Sequence, residues 1–158
     1  MKILGIDPGI GICGFGLIEI SKQAGTKALD YGVVTTKIRA PLPSRLVELF
    51  DSLTELFAET KPDVVSVEKL FFTKNITTGI AVAEARGIVL LVAEQNHLPI
   101  YEYTPNEIKK VLTGYGSAGK PQMEEMVRVH LGLTEKPKPD DAADALAAAI
   151  THALMKKH

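Results

Sequence analysis

The segment KILGIDPGIGICGFGLIEI, residues 2–20, contains an apolar run, a turn and a second apolar run. Its first part, KILGID, ends at Asp7-Pro8-Gly9, which is typical of a buried central strand followed by a turn. Residues 12–20 alternate and predict a second strand, joined to the first through the glycines. Residues 28–36, ALDYGVVTT, predict a third strand. Three successive strands predict an antiparallel meander on one side of a sheet.

The hydrophobic period changes after the third strand. Leu46, Leu49, Phe50 and Leu53 recur at the i, i+3, i+4, i+7 spacing of an amphipathic helix that opens near Ser44. Strands followed by strand–helix alternation predict one mixed-sheet α/β domain over residues 1–158. The later predicted elements are strands at 63–68 and 98–104 and helices at 77–96, from 105, at about 120–131 and at about 140–155.

The composition excludes several classes of protein. The chain is 46% hydrophobic and 23% charged, which is ordinary for a soluble globular protein. Cys13 is the single cysteine, so no internal disulfide can form and a reduced cytoplasmic setting is expected. No apolar run approaches the ~18 residues of a membrane span, so no membrane partner is expected. With a net charge of −1, nucleic-acid binding would require a local basic patch.

Residues 114–121, GYGSAGKP, have the glycine spacing of a nucleotide-binding loop. A P-loop requires a preceding strand and a Ser or Thr after its lysine. Here residues 104–107 (TPNE) form a capping box that predicts a preceding helix, and Pro121 follows Lys120. We therefore predict a loop between two helices that exposes Lys120, not a nucleotide site.

Acidic residues end two predicted strands and open the last helix. Asp7 ends the first strand, Glu68 ends the fourth, and Asp141 and Asp144 lie on one face of the helix. Each has an ordinary alternative: a turn at Asp7, solvent exposure at Glu68, and helix capping by Asp140 or Asp141. If the first and fourth strands are parallel neighbours, their carboxyl ends share the edge where α/β ligand sites form. An oxygen-only ligand set suits Mg²⁺ or Mn²⁺, and two such ions support in-line displacement at phosphorus.

Four motifs, in order along the chain, resemble the RuvC family of bacterial Holliday-junction resolvases. The motifs are ILGIDPG (3–9), VEKLFFTKN (67–75), GSAGKPQMEEMV (116–127) and DDAADALAAAITH (140–152). The resemblance implies a ribonuclease H-like α/β fold, with a five-stranded mixed β-sheet flanked by α-helices. It implies a structure-selective endonuclease that resolves four-way DNA junctions by paired symmetric nicks and leaves 5′-phosphate ends. It further implies two Mg²⁺ per active site, with Mn²⁺ as a substitute, a homodimer built by helix 77–96, and the RuvA–RuvB branch-migration complex as a further partner.

The resemblance also implies roles for individual residues. The residues that match the family's catalytic and metal-binding acids are Asp7, Glu68, Asp141 and Asp144. The DNA-binding candidates are Phe71, Phe72, Lys74, Lys109 and Lys120, with the aromatic residues holding bases unstacked at the junction. The sequence departs from the family pattern by an extra acid, Asp140, which could replace Asp141 at the metal. We prefer Asp141, because Asp140 follows a proline and is placed to cap the helix.

Other readings of the same residues stay open. A YqgF-type ribonuclease H-like nuclease is related, but the segments DAADAL and FFTKN favour RuvC. A non-catalytic junction-binding module would gain nothing from four acids that repel phosphate. An actin-like ATPase, whose first phosphate loop resembles GIDPG, needs two such domains. We expect Cys13 and His152 to be packing residues.

Overall fold

The computed structural model describes residues 1–69 and 76–156, and the elements in these ranges follow the predicted order. Phe71, Phe72 and Lys74 lie outside the described residues. The predicted five-stranded mixed sheet is confirmed, and the first helix opens slightly earlier than predicted. The elements are β1 (Lys2–Asp7), β2 (Ile12–Ser21), β3 (Gly25–Thr35), α1 (Leu42–Thr60), β4 (Val64–Glu68), α2 (Ile76–Gln95), β5 (Ile100–Tyr103), α3 (Pro105–Thr113), α4 (Lys120–Leu131) and α5 (Asp140–Met155).

The sheet has the strand order β3-β2-β1-β4-β5. The strands β1, β2 and β3 pair antiparallel, which confirms the predicted meander. The strand β4 pairs parallel with β1, and β5 pairs parallel with β4. The carboxyl ends of β1, β4 and β5 therefore lie at one edge of the sheet, the arrangement on which the predicted acid cluster depends.

Two hydrophobic cores lie on opposite faces of the sheet because side chains alternate along each strand. In β1, Ile3 packs in the core that contains residues of α3, α4 and α5. Leu4 and Ile6 pack in the other core, with residues of α1 and α2. Cys13 of β2 lies fully buried in this second core, as predicted. By the same alternation, Asp7 points to the face that α5 covers.

The strand β4 repeats this alternation. Val65 and Val67 pack in the core of α1 and α2, whereas Val64 packs in the core of α5. The buried Ser66 hydroxyl donates a hydrogen bond to the Ala148 carbonyl oxygen of α5, at 2.7 Å. The next residue on this face is Glu68, so both strand-terminal acids project toward α5.

Glycines on β1 and β2 let α5 lie directly on the sheet backbone. A Cβ atom on Gly5 would lie 1.9 Å from the Ala145 carbonyl oxygen. A Cβ atom on Gly14 would lie 2.0 Å from the Asp141 carbonyl oxygen. Since Gly5 and Gly14 lie on the same face as Asp7, this close approach sets the height of the first turn of α5 above the end of β1.

A buried hydrogen bond between side chains joins β5 to α5. The Tyr103 hydroxyl lies 2.9 Å from Nδ1 of His152, which is 2% exposed. The ring of Tyr101 lies 4.4 Å from the His152 ring, centroid to centroid. The expectation that His152 is a packing residue is thus confirmed.

We expect Tyr103→Phe to lower the free energy of unfolding by about 1–3 kcal/mol, because it removes a buried hydrogen bond while keeping the ring. Urea unfolding followed by circular dichroism measures this loss. Tyr115→Phe is the matched control, since Tyr115 is 67% exposed and its change should stay within about 0.5 kcal/mol. Equal effects of the two substitutions would contradict the assignment.

Candidate active site

The four predicted acids approach one another at the carboxyl edge of the sheet. Asp7 lies at the end of β1, Glu68 at the end of β4, and Asp141 and Asp144 in the first turns of α5. All four are half-buried. Asp7 interacts electrostatically with the other three. The topology thus brings together residues that are far apart in the sequence.

The environment of Asp7 disfavours its ionised form. Burial, followed by the charges of Glu68, Asp144 and Asp141, raises the pKa of Asp7 from 3.8 to about 8. The Lys120 ammonium opposes this shift. Four neighbouring carboxylates cannot all ionise cheaply without a balancing positive charge. Without a bound cation, the raised pKa of Asp7 therefore favours its protonated form near neutral pH.

Two lysines partly balance the remaining acids. Burial and the charge of Asp144 raise the pKa of Glu68, and Lys109 opposes the shift. Burial also raises the pKa of Asp144, and Lys120 opposes it. Lys109 therefore lies close enough to favour the ionised form of Glu68, and Lys120 close enough to favour those of Asp7 and Asp144.

The donor chemistry of the cluster suits a hard divalent cation. All the side-chain donors are carboxylate oxygens, which Mg²⁺ and Mn²⁺ prefer. Within residues 1–69 and 76–156, no three His, Cys, Asp or Glu side chains are already gathered as a ligand set. The four acids are neighbours, but their oxygen atoms are not yet arranged around one point. Repulsion between ionised carboxylates favours this spacing. A bound cation would draw them together and favour their ionised forms, opposing the rise in pKa that burial and the neighbouring charges cause.

Lys120 makes ion pairs with two residues of α5. Its Nζ atom lies 3.0 Å from Oδ2 of Asp140 and 3.6 Å from Oδ2 of Asp144. The expectation that Asp140 caps α5 is wrong, because Pro139 is the N-cap residue and no side-chain capping bond forms. Asp140 is instead the first helical residue, and its carboxylate binds Lys120. An acid in this position still interacts favourably with the helix dipole.

A cleft of about 270 Å³ opens beside the acids. Glu68 and Asp144 line it together with Lys109 and Lys120, and the Lys120 side chain, 49% exposed, reaches solvent at the opening. Its apolar lining was not anticipated from the sequence, because Ile108 and Met123 follow the pattern of ordinary buried helix positions. The remaining lining residues are Pro105 and Ala147. Carboxylates beside lysines can hold a cation and a phosphate group at the same place.

The glycine-rich segment joins α3 to α4, so the rejection of a P-loop is supported by the helix that precedes it. Gly114 ends α3 with a φ of 81°, in the left-handed region that favours glycine. Gly119 precedes α4, and Lys120 is the first residue of that helix. The segment therefore delivers Lys120 to the rim of the cleft.

Comparison with known proteins decides the family. The sequence profile of the family described as "Crossover junction endodeoxyribonuclease RuvC" matches residues 3–152. The chain belongs to the RuvC family. RuvC of Brevibacillus brevis is 49% identical over 156 residues, which cover 99% of this chain and 93% of the relative. RuvC of Desulfitobacterium hafniense is 52% identical over 153 residues, covering 97% of this chain and 92% of the relative.

Solved RuvC structures agree with the fold. A structure titled "T. thermophilus RuvC in complex with Holliday junction substrate" superposes with a TM-score of 0.91 and 36% identity. It covers 98% of this chain and 94% of the other chain. A yeast mitochondrial Holliday junction resolvase, Ydc2, has the same fold at a TM-score of 0.69 and 16% identity. The predicted RuvC resemblance and ribonuclease H-like fold are therefore confirmed.

Proposed function

We propose that this member of the RuvC family is a crossover junction endodeoxyribonuclease that resolves four-way DNA junctions by paired symmetric nicks. The observation that carries the proposal is the convergence of Asp7, Glu68, Asp141 and Asp144 at one edge of the sheet, beside Lys109 and Lys120. The superposition on a RuvC structure titled as a complex with a Holliday junction substrate supports the choice of DNA substrate. We also propose that residues 1–158 act as one nuclease domain.

We assign the same four acids as ligands of divalent cations, two per site, with Mg²⁺ as the expected ion and Mn²⁺ as a substitute. Such ions, when bound, activate water and neutralise the charge on the departing 3′-oxygen. The protein contributes carboxylates that are poorly solvated because they are buried. A nearby cation therefore stabilises their ionised forms. Cleavage of the bond between phosphorus and the 3′-oxygen leaves a 5′-phosphate and a 3′-hydroxyl.

Lys109 and Lys120 are proposed to bind the DNA backbone. Both line the cleft beside Glu68 and Asp144, so a phosphate bound by them would lie next to the acids. Because the lysine side chain is flexible, its ammonium can stay in contact with a phosphate when the DNA backbone shifts slightly. We further propose that Phe71, Phe72 and Lys74 contact the junction near the crossover, where the aromatic rings would hold bases unstacked.

The substrate and the proposed assembly have matching symmetry. A four-way junction has two-fold symmetry, so a two-fold dimer places two sites on opposing strands. We propose that α2 builds the homodimer, and its exposed Ile80 and Leu91, at 51% and 47%, offer apolar surface for it. The RuvA–RuvB complex is proposed as a further partner.

A cytoplasmic location is proposed from the DNA substrate. Among the residues that the structure describes, no helix combines the length and hydropathy needed to cross a membrane. The buried Cys13 also suits a reducing compartment, since it forms no disulfide.

The proposed function is tested by incubating the protein with a synthetic four-way junction and with a linear duplex of the same sequence. In Mg²⁺ we expect paired nicks on the junction alone, sealed by DNA ligase because they carry 5′-phosphates. The nicks should disappear in EDTA. Junction binding without nicks would favour a binding module, and cleavage of both substrates alike would favour a less selective nuclease of the YqgF type.

A further inference from the structure

We propose that Asp140 is a positioning residue that holds the Lys120 ammonium at the rim of the acid cluster, and that it is not a metal ligand. This inference rests on the proposed function, since it concerns how Lys120 meets the scissile phosphate. It assigns a role to the extra acid by which this sequence departs from the family pattern.

The contact joins the first residues of two helices. Lys120 opens α4 and Asp140 opens α5, and their side chains meet at 3.0 Å between Nζ and Oδ2. The hydrogen bond from Lys120 to Asp140 is the largest cause of the raised pKa of Lys120. Asp144, one helical turn beyond Asp140, lies 3.6 Å from the same Nζ atom. Asp140 thus makes the shorter of the two ion-pair contacts to Lys120.

Exposure separates Asp140 from the other acids. Its side chain is 63% exposed, whereas that of Asp144 is 37% exposed. The carboxyl groups that shift the pKa of Asp7 are Glu68, Asp144 and Asp141, while Asp140 acts on Lys120 and Asp144. Of the two carboxylates that pair with Lys120, Asp140 is therefore the more exposed, and it is absent from the group of acids that raise the pKa of Asp7.

Holding Lys120 on two sides has a direct consequence for phosphate binding. A lysine has a flexible four-carbon stem and loses rotamer freedom when it binds. Asp140 and Asp144 together restrict the ammonium to the rim of the cleft before DNA arrives. The three donors of the ammonium allow it to contact a phosphate while still bound to Asp140.

A double-mutant cycle tests the inference. Single-turnover cleavage is measured at saturating junction, so that a change in DNA affinity does not enter the rate. Asp140→Asn should slow cleavage about two- to fivefold, because that change in rate corresponds to the small energy of an exposed ion pair. In a Lys120→Ala background the same substitution should have no further effect. Asp140→Glu should retain most of the rate, and Asp51→Asn, at an exposed position on α1, is the matched control.

Metal binding distinguishes a positioning residue from a ligand. Mn²⁺ titrated calorimetrically into the DNA-free protein should bind Asp140→Asn within about twofold of the parent affinity. Asp141→Asn should lose about tenfold or more, because it removes a charged oxygen ligand. An equal loss in both variants, or a rate loss by Asp140→Asn that persists without Lys120, would overturn the inference.

A third measurement is independent of cleavage, so failure of the proposed function and failure of this inference can be told apart. Competitive lysine acetylation, read by mass spectrometry, reports how strongly each ammonium is held. Asp140→Asn should raise the reactivity of Lys120 about two- to fivefold and leave Lys109 unchanged. Unchanged reactivity of Lys120 would overturn the inference even if the parent protein cleaves junctions normally.

Discussion

Asp7→Asn is expected to lower the rate of junction cleavage by about a thousandfold or more, because it removes a carboxylate that we propose as a metal ligand. Charge stabilisation by bound cations supplies several kcal/mol, and each 1.36 kcal/mol is about tenfold in rate. Single-turnover cleavage in Mg²⁺ measures the loss. Asp51→Asn, at an exposed position, should keep the parent rate. A variant of Asp7 that retained more than a tenth of the rate would contradict its assignment as a ligand.

The same substitution should stabilise the protein in EDTA near pH 8. The pKa of Asp7 is 3.8 in the unfolded reference and about 8 in the folded protein. Between these values the folded state binds more protons, so the free energy of unfolding falls as pH rises. Asp7→Asn removes this contribution, and we expect a gain of about 0.5–2 kcal/mol at the upper end of the window.

Urea unfolding in EDTA across this pH window measures the effect. The parent protein should lose stability as the pH rises toward about 8, and Asp7→Asn should show a flatter profile. Parallel profiles for the two proteins would contradict the raised pKa. Added Mg²⁺ should restore the parent more than the variant, since only the parent has the full set of acids.

Gly14→Ala is expected to disturb the site without touching any candidate acid. Its Cβ atom would lie 2.0 Å from the carbonyl oxygen and 2.5 Å from the carbonyl carbon of Asp141, both backbone atoms. The helix α5 must move away, which costs about 1–3 kcal/mol of stability. Because a shift of about 1 Å can cost a hundredfold in rate, cleavage should fall by about that factor in a variant that remains folded.

Glu55→Ala, at an exposed position on α1, is the control for this prediction. It should change the free energy of unfolding by no more than about 0.5 kcal/mol and keep the parent rate of cleavage. Circular dichroism checks that Gly14→Ala is folded before its rate is measured. A folded Gly14→Ala protein with the parent rate would show that α5 tolerates displacement.

The convergence of the acids could be predicted because it follows from strand chemistry. An apolar run that ends in an acid predicts a buried strand with a carboxylate at its carboxyl end, as at Asp7 and Glu68. Parallel pairing then brings the two ends to the same edge, and alternation sends both side chains to the face that α5 covers. The strand-end and alternation steps depend on residues that are close in sequence, and only the pairing of β1 with β4 joins distant segments.

The arrangement around Lys120 could not be predicted in the same way. Its partner Asp140 lies on a different helix, and the ion pair depends on how α4 and α5 pack. Local rules assigned Asp140 to helix capping, because an acid after proline at a helix start commonly has that role. The apolar lining of the cleft was missed for a related reason. The spacing of Ile108 and Met123 predicts that they are buried, but not which cleft they line.

The contact between β1 and α5 also determines when the site can exist. The strand that carries Asp7 precedes the helix that carries Asp141 and Asp144 along the chain, so it is synthesised well before that helix. A chain caught part-way through synthesis, or one in which α5 has undocked, holds only half of the acids. Contacts between such distant segments form late and slowly. The proposed DNA-cutting activity would therefore arise only once α5 has docked on the sheet.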